Sequence, residues 1–282
     1  MTDDTETTRD LHLSGIATAP GGVYETVRIS GVGTVNGDVD AEQLTFSGTG
    51  AIKGNVTVQE ARLSGAAAIT GDLTADQLDV SGAGTINGHV RSKRAHISGS
   101  AKMLQDFETE ELEASGSADI QGDIRATTIT ISGAANVRGS VNARAFGGSG
   151  GFNVQGNVDV AEFKSSGGFD IGGRLAADLV EIRPGGPCRL DTLVGKTVSV
   201  IDDPRRGGCR LEHRRLTADS IAAPEISLEL TTADTVRGRV VRIGPGCEID
   251  TVEYGDSLEV DPKATVKHTK HTGTGEEQHE SQ

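Results

Sequence analysis

A serine followed by a glycine or by a Ser-Gly pair recurs at Ser30, Ser47, Ser64, Ser81, Ser98, Ser115, Ser132, Ser149 and Ser166, and each step is 17 residues. A fixed period of this length excludes most globular folds and leaves a solenoid, in which one repeat is one coil that packs on its neighbours. The columns of the repeat say what a coil is made of. One reads Val35, Ile52, Ile69, Ile86, Met103, Ile120, Val137, Val154, Ile171 and another Val39, Val56, Leu73, Val90, Phe107, Ile124, Val141, Val158, Leu175. A third, from Val27 and Leu44 to Phe163 and Val180, opens each coil. Apolar positions often stand two apart, as in Leu44 and Phe46, and β-branched residues dominate, which is strand spacing with no helical stripe. The chain therefore reads as all-β, a parallel β-helix of short strands.

Two further columns are nearly pure glycine, the one after the serine and the one of Gly37, Gly54, Gly71, Gly88, Gly122, Gly139, Gly156 and Gly173, broken by Gln105. Glycine between short strands suits corners that need positive φ or close backbone approach. Volume also balances across columns. The small column of Gly33, Gly50, Ala67, Gly84, Ala101, Ala118 and Ala135 becomes Phe152 and Phe169, and in those coils the column of Phe46, Leu63, Val80 and Ile97 shrinks to Gly148 and Ser165. Such compensation implies a shared, close-packed interior.

Residues 1–10, MTDDTETTRD, read as a disordered polar tail. The regular repeat spans 11–182. Leu11, Leu13, Ser14 and Gly15 already match it one residue out of register, an irregularity expected around Pro20-Gly21-Gly22. Residues 183–266 continue as irregular coils and form a candidate cap. Within them Leu211 to Leu230 is hardest to place and is read with a short helix around Arg214 to Ile221. Residues 267–282 read as a second disordered tail. The coil from Ala95 to Glu111, with Met103, Gln105, Phe107 and Glu108, Glu110, Glu111, reads either as a binding face or as a bulged coil with a solvated acidic edge.

The formal net charge is −14, and arginine outnumbers lysine 19 to 8. An acidic surface of this kind suits a salt-rich cytoplasm, where ions screen its self-repulsion. It disfavours nucleic acid, which needs concentrated basic patches. No signal peptide and no apolar run approaching ~20 residues is visible, so a cytoplasmic protein is expected.

Catalytic chemistry is sought without success. Cys188, Cys209 and Cys247 share a local phrase, with glycine or proline before and leucine or isoleucine two residues after. Cys188 also falls 17 residues after Ile171, so all three read as small core residues. The histidines, His89 and His96 among them, build no ligand column with acidic residues, and no metal or other cofactor is expected. FGGSGGF follows the coil and opens no helix that would cradle a nucleotide phosphate. A hexapeptide acyltransferase would repeat in sixes, 18 to a turn, and a carbohydrate-acting β-helix would show aromatic platforms, whereas aromatic residues make up 3% of this chain.

The phrases SGTGAIKGNV, SGAGTINGHV and SGSADIQGDI, together with LHLSGIATAPGGVYETVRISGVGTVNGDV and VVRIGPGCEIDTVEY, resemble a longer branch of the bactofilins, a polymer-forming cytoskeletal family. The resemblance implies a right-handed β-helix of triangular section. It also implies end-to-end assembly without nucleotide into non-polar filaments that scaffold cell shape or protein position. The partner implied is the chain itself, and beyond it a sister bactofilin or a membrane-associated protein. Stacked coils leave unpaired backbone groups and apolar side chains at both ends. The candidate polymerisation contacts are therefore Leu11, Leu13 and Ile16 of the first coil and Leu258, Val260 and Val266 of the last. The alternative is an adaptor that does not polymerise and binds a partner or a sister polymer along its faces.

Overall fold

The computed structural model describes residues 9–202 and 214–272, and within them every regular element is a β-strand in parallel pairing, with no helix. Two compact units, Met1–Val158 and Asp159–Gln282, divide the chain.

In the first unit the coil is a triangle, and the burial pattern shows why. Strand β6 (Ala66–Ile69) points Ala67 and Ile69 inward. Strand β7 (Leu73–Val80) then points Leu73 and Ala75 inward, exposes Asp76 and Gln77 in succession, and resumes with Leu78 and Val80 buried. Two consecutive outward residues break the two-residue alternation of a flat strand, so the chain bends there. The pairing of β5 (Val56–Leu63) with β7 passes from Val58↔Ala75 to Glu60↔Gln77, leaving Gln59 and Asp76 unbridged at that corner. Each coil thus has a first side (Ala67, Ile69), a second side (Leu73, Ala75) and a third side (Leu78, Val80). The register between successive coils is in step, as in Leu73↔Val90 and Leu78↔Ala95. The apolar columns read from the sequence are these inward rows: Val35, Ile52, Leu44 and Phe46 are all fully buried.

The glycine after the serine is required by close approach. A Cβ at Gly99 would fall on the carbonyl oxygen of Gly82 in the coil below, and the same holds for Gly65 over Gly48 and Gly116 over Gly99. Positive φ is confined to Gly15, Gly22, Gly37 and Gly246 among the glycines described. At the corner between first and second sides runs a hydrogen-bond ladder that the sequence columns carried unnoticed, in the position after the second glycine. The backbone N–H of Asn55 donates to Asp38 Oδ1 (2.7 Å), that of Asp72 to Asn55 Oδ1 (2.9 Å) and that of His89 to Asp72 Oδ1 (2.8 Å). It resumes from Asp123 to Asp106 and from Ser140 to Asp123. Each acceptor satisfies a corner N–H that no strand can reach.

The expected volume exchange is direct contact. A Cβ on Gly148 would press on the ring of Phe152, which packs on Phe146 with centroids 4.9 Å apart. The coil from Ala95 to Glu111 is not bulged: β11 (Phe107–Ala114) pairs with β9 (Val90–Ile97) and β13 (Ile124–Ile131) without a register shift, and Met103 and Phe107 are fully buried. Its acidic edge faces solvent, with Glu108 3.6 Å from Arg91.

In the second unit the sides are kept while the corners lengthen. Strands β18 (Gly168–Ile182) and β19 (Cys188–Val200) pair as Phe169↔Cys188, Leu175↔Leu193 and Val180↔Val198. Cys188 therefore stacks on Phe169, not on the Ile171 column expected from the 17-residue step. The Arg183–Pro187 turn and the register shift after Ile171 account for the difference. Residues 214–221 are not helical. Strand β20 (Leu216–Ala222) buries Leu216, Ala218 and Ile221 over Cys188, Leu190 and Leu193, so the core alternation decides.

Most of the insertion from Asp202 to Gly208, with Cys209, lies outside the described residues, but its base is tied. Arg214 is buried, donates through Nε to the Pro184 carbonyl (3.0 Å) and pairs through Nη2 with Asp202 (3.1 Å). Replacing Arg214 by alanine leaves the Asp202 carboxylate without this partner in a half-buried position. A loss of about 2 kcal/mol in denaturant unfolding is expected, below the full cost of breaking a buried pair because Asp202 keeps contact with water.

The expected chain limits shift slightly at both described ends. Strand β1 (Arg9–Leu13) starts inside the tail assigned to 1–10, and β24 (Thr265–His271) runs past Val266 into the segment assigned to a tail. Residues 1–8 and 273–282 lie outside the described residues.

Candidate functional site

The first coil begins on a third side. Leu11 stacks on Val27 and Leu13 on Ile29. Strand β2 (Ile16–Ile29) then lays Ala19 over Val35, Gly22 over Val39 and Tyr24 over Ala41. The expected irregularity is present as a register shift between Pro20 and Gly22, and the Tyr24 hydroxyl donates to the Pro20 carbonyl (2.9 Å), closing that corner. Leu13 is buried and Leu11 half-buried. Ile16 is 91% exposed because it belongs to the outward column of Val32, so it lies on the flank of the end and not in its inward row.

The other end is built by β22 (Thr231–Ile243), β23 (Glu248–Val260) and β24. Val266 covers Ile249, Thr269 covers Val252, and His271 covers Tyr254 with ring centroids 5.1 Å apart. The last ladder bond runs from the Thr272 N–H to the Tyr254 carbonyl (2.7 Å). The third side of this coil, Leu258 over Val241 and Val260 over Ile243, has nothing of the described chain above it. Burial marks the step: Val241 and Ile243 are buried, Leu258 and Val266 are half-buried, and Val260 is 40% exposed.

Charge is layered at this end. β22 carries Arg237, Arg239 and Arg242, β23 carries Asp250, Glu253, Asp256 and Glu259, and β24 carries Lys267 and Lys270. The layers pair vertically: Arg239 with Asp256 (3.2 Å), Arg242 with Glu259 (3.6 Å), Lys267 with Asp250 (2.7 Å) and Lys270 with Glu253 (3.5 Å). The Arg237 hydrogen bond, with Lys270 beside it, holds the Glu253 carboxyl below its ordinary range. Exposed pairs contribute little stability, so their main effect is on which edges can approach.

Elsewhere the described residues offer little chemistry. The Cys188 and Cys247 thiols are buried, and desolvation pushes them up to about 12 and about 11, so neither is a nucleophile. Among the described residues no group of three or more His, Cys, Asp and Glu is placed to hold a metal. An outer groove of about 500 Å³ runs along Asp76, Arg91, Lys93, Glu108 and Arg125, with Thr109 in its floor. No helix of the described chain is long and apolar enough to cross a membrane.

Comparison with known proteins agrees with the reading of the repeat. Residues 3–91 match the bactofilin family, described as polymer-forming cytoskeletal. Two Bacillus subtilis (strain 168) proteins match a short stretch. Uncharacterized protein YhbF is 47% identical over 53 residues, 19% of this chain and 23% of its own length. Uncharacterized protein YhbE is 50% identical over 52 residues, 18% of this chain and 22% of its own length. The chain thus spans less than a quarter of these relatives. No solved structure matches. With its coil phrases and this match together, the chain carries a bactofilin domain over residues 3–91 and is, there, a polymer-forming cytoskeletal protein by family.

Proposed function

We propose that this chain is a structural scaffold that assembles end to end, without nucleotide, into filaments that shape the cell or position other proteins. The observation that carries the reading is the incomplete last coil, where Leu258, Val260 and Val266 stay accessible while the coil beneath them is closed. Exposed apolar side chains beside an open strand edge favour one more strand, and the family match supplies the expectation of polymers. Negative-stain electron microscopy of the purified protein, across a salt series and with no nucleotide, tests it. Long uniform filaments are expected, favoured by salt that screens the −14 charge. Isolated short particles at every salt concentration would reject it in favour of an adaptor, for which the groove from Asp76 to Arg125 is the available binding surface.

A further inference from the structure

The two ends complement one another. We propose that copies of this chain join head to tail, the first strand of one copy completing the third side of the last coil of the next, so that the filament is polar. This rests on end-to-end assembly and departs from the non-polar filament that the family resemblance implies.

The counting is specific. The last coil closes its first and second sides with Val266, Thr269 and His271 and leaves its third side, Leu258 and Val260, uncovered. The first coil starts on its third side, with Leu11 and Leu13, and continues through Ala19, Gly22 and Tyr24. The inward positions 11, 13, 19, 22, 24 and 258, 260, 266, 269, 271 keep one constant offset, so a second copy can be laid on with no residue inserted or skipped around the turn. Leu11 then lies on Leu258, Leu13 on Val260, Ala19 on Val266 and the Tyr24 ring on the His271 ring. The interior columns continue unbroken.

The outward residues agree. In the same register Arg9 comes over Asp256 and His12 over Glu259, the two carboxylates whose arginine partners lie in the coil beneath. Pro20 comes over Lys267 and Val23 over Lys270, so no like charges meet. Other pairings do worse. Two last ends brought together would set Lys267 and Lys270 against their own copies, and neither holds the missing side. Two first ends each bring a third side that the other already has. The chain's own continuation fails as well: in the register of β23 under β24 it sets Gly275 over Leu258 and Glu277 over Val260, and stacks Glu276 on Glu259. That leaves the apolar column unfilled and juxtaposes two carboxylates, whereas Leu11 and Leu13 of a second copy fill it.

The test uses two variants of the full chain, His12→Cys and Glu259→Cys, each with Cys209→Ser. Both positions are exposed in the free chain. Residues facing each other on neighbouring strands, ~4.8 Å apart, lie within disulfide reach. On mild oxidation the mixture should yield dimers containing one of each variant, at least about tenfold above either variant alone, because docking raises the local thiol concentration. Dimers of Glu259→Cys alone, or of His12→Cys alone, with filaments present, would overturn the head-to-tail joint and leave assembly standing. Filaments without any cross-link would overturn the register. No filaments and no cross-links would overturn the joint together with the assembly reading. Removing residues 273–282 should leave the mixed yield unchanged within about twofold; if cross-links appear only after that removal, the chain's own end is the occupant and the joint fails.

Discussion

Gly99→Ala is expected to destabilise the first unit by about 3 kcal/mol, near the upper range for inserting a methyl group into a filled site. At Gly99 the new Cβ meets the backbone carbonyl of Gly82 and, at slightly longer range, that of Ser81, so no side-chain rotation relieves the clash. The coil would have to slide, but its register is fixed on both sides, by Ala83↔Ser100 below and Ser100↔Ser117 above. Relief must therefore come from stretching ladder bonds such as the Gly99 N–H to the Val80 carbonyl (2.9 Å). Gly151→Ala is the control. A Cβ there meets nothing within 4 Å, and its φ is not positive, so the expected change is within about 0.5 kcal/mol. Urea unfolding of both variants decides it. Equal stability of the two would mean that the glycine column is not held by close packing.

That contrast also shows what could be read before any coordinates. The inward columns were legible because each coil repeats the same burial decision, so Val35, Ile52 and Leu44 announce the core many times over. The Phe152 and Gly148 exchange was legible for the same reason, since volume must be conserved where rings enter. The corner ladder of Asp38, Asn55, Asp72, Asp106 and Asp123 was present as a column too. It was missed because its members share only a hydrogen-bond acceptor, not a size or a hydropathy. Beyond Ile182 the period fails as corners lengthen. There a 17-residue count sends Cys188 to the wrong neighbour, and an arginine pair before Leu216 imitates a helix start. Of the proposed end residues, apolar character alone could not separate Ile16, which faces outward, from Leu11 and Leu13, which face in. That distinction depends on the corner after Ser14, where φ of Gly15 is 80°.

Val260→Asp is expected to raise the critical concentration for assembly by about two orders of magnitude or more while changing the unfolding of the free chain little. Val260 is 40% exposed in the free chain, so a carboxylate there stays hydrated. In the joint it would lose that water under Leu13 of the next copy, and desolvating an unpaired carboxylate costs several kcal/mol. It would also stand between Glu259 and Asp261, which add repulsion and offer no partner. Val194→Asp separates this effect from added charge alone. Val194 is 39% exposed, almost the same as Val260, but it lies mid-unit with Ala176 and Ala222 on its two sides and so belongs to no end. Sedimentation of the two variants across a concentration series, with electron microscopy of the pellets, reads the difference. If Val194→Asp alone blocked assembly, growth would proceed along the flanks. If Val260→Asp assembled at the parental concentration, the joint would lie elsewhere, whatever the filaments look like. The sharper expectation is asymmetric: preformed filaments should accept Val260→Asp subunits by their intact first coil at one end only. A single round of addition at one filament tip would connect the buried Leu11–Leu258 column to a polar direction of growth.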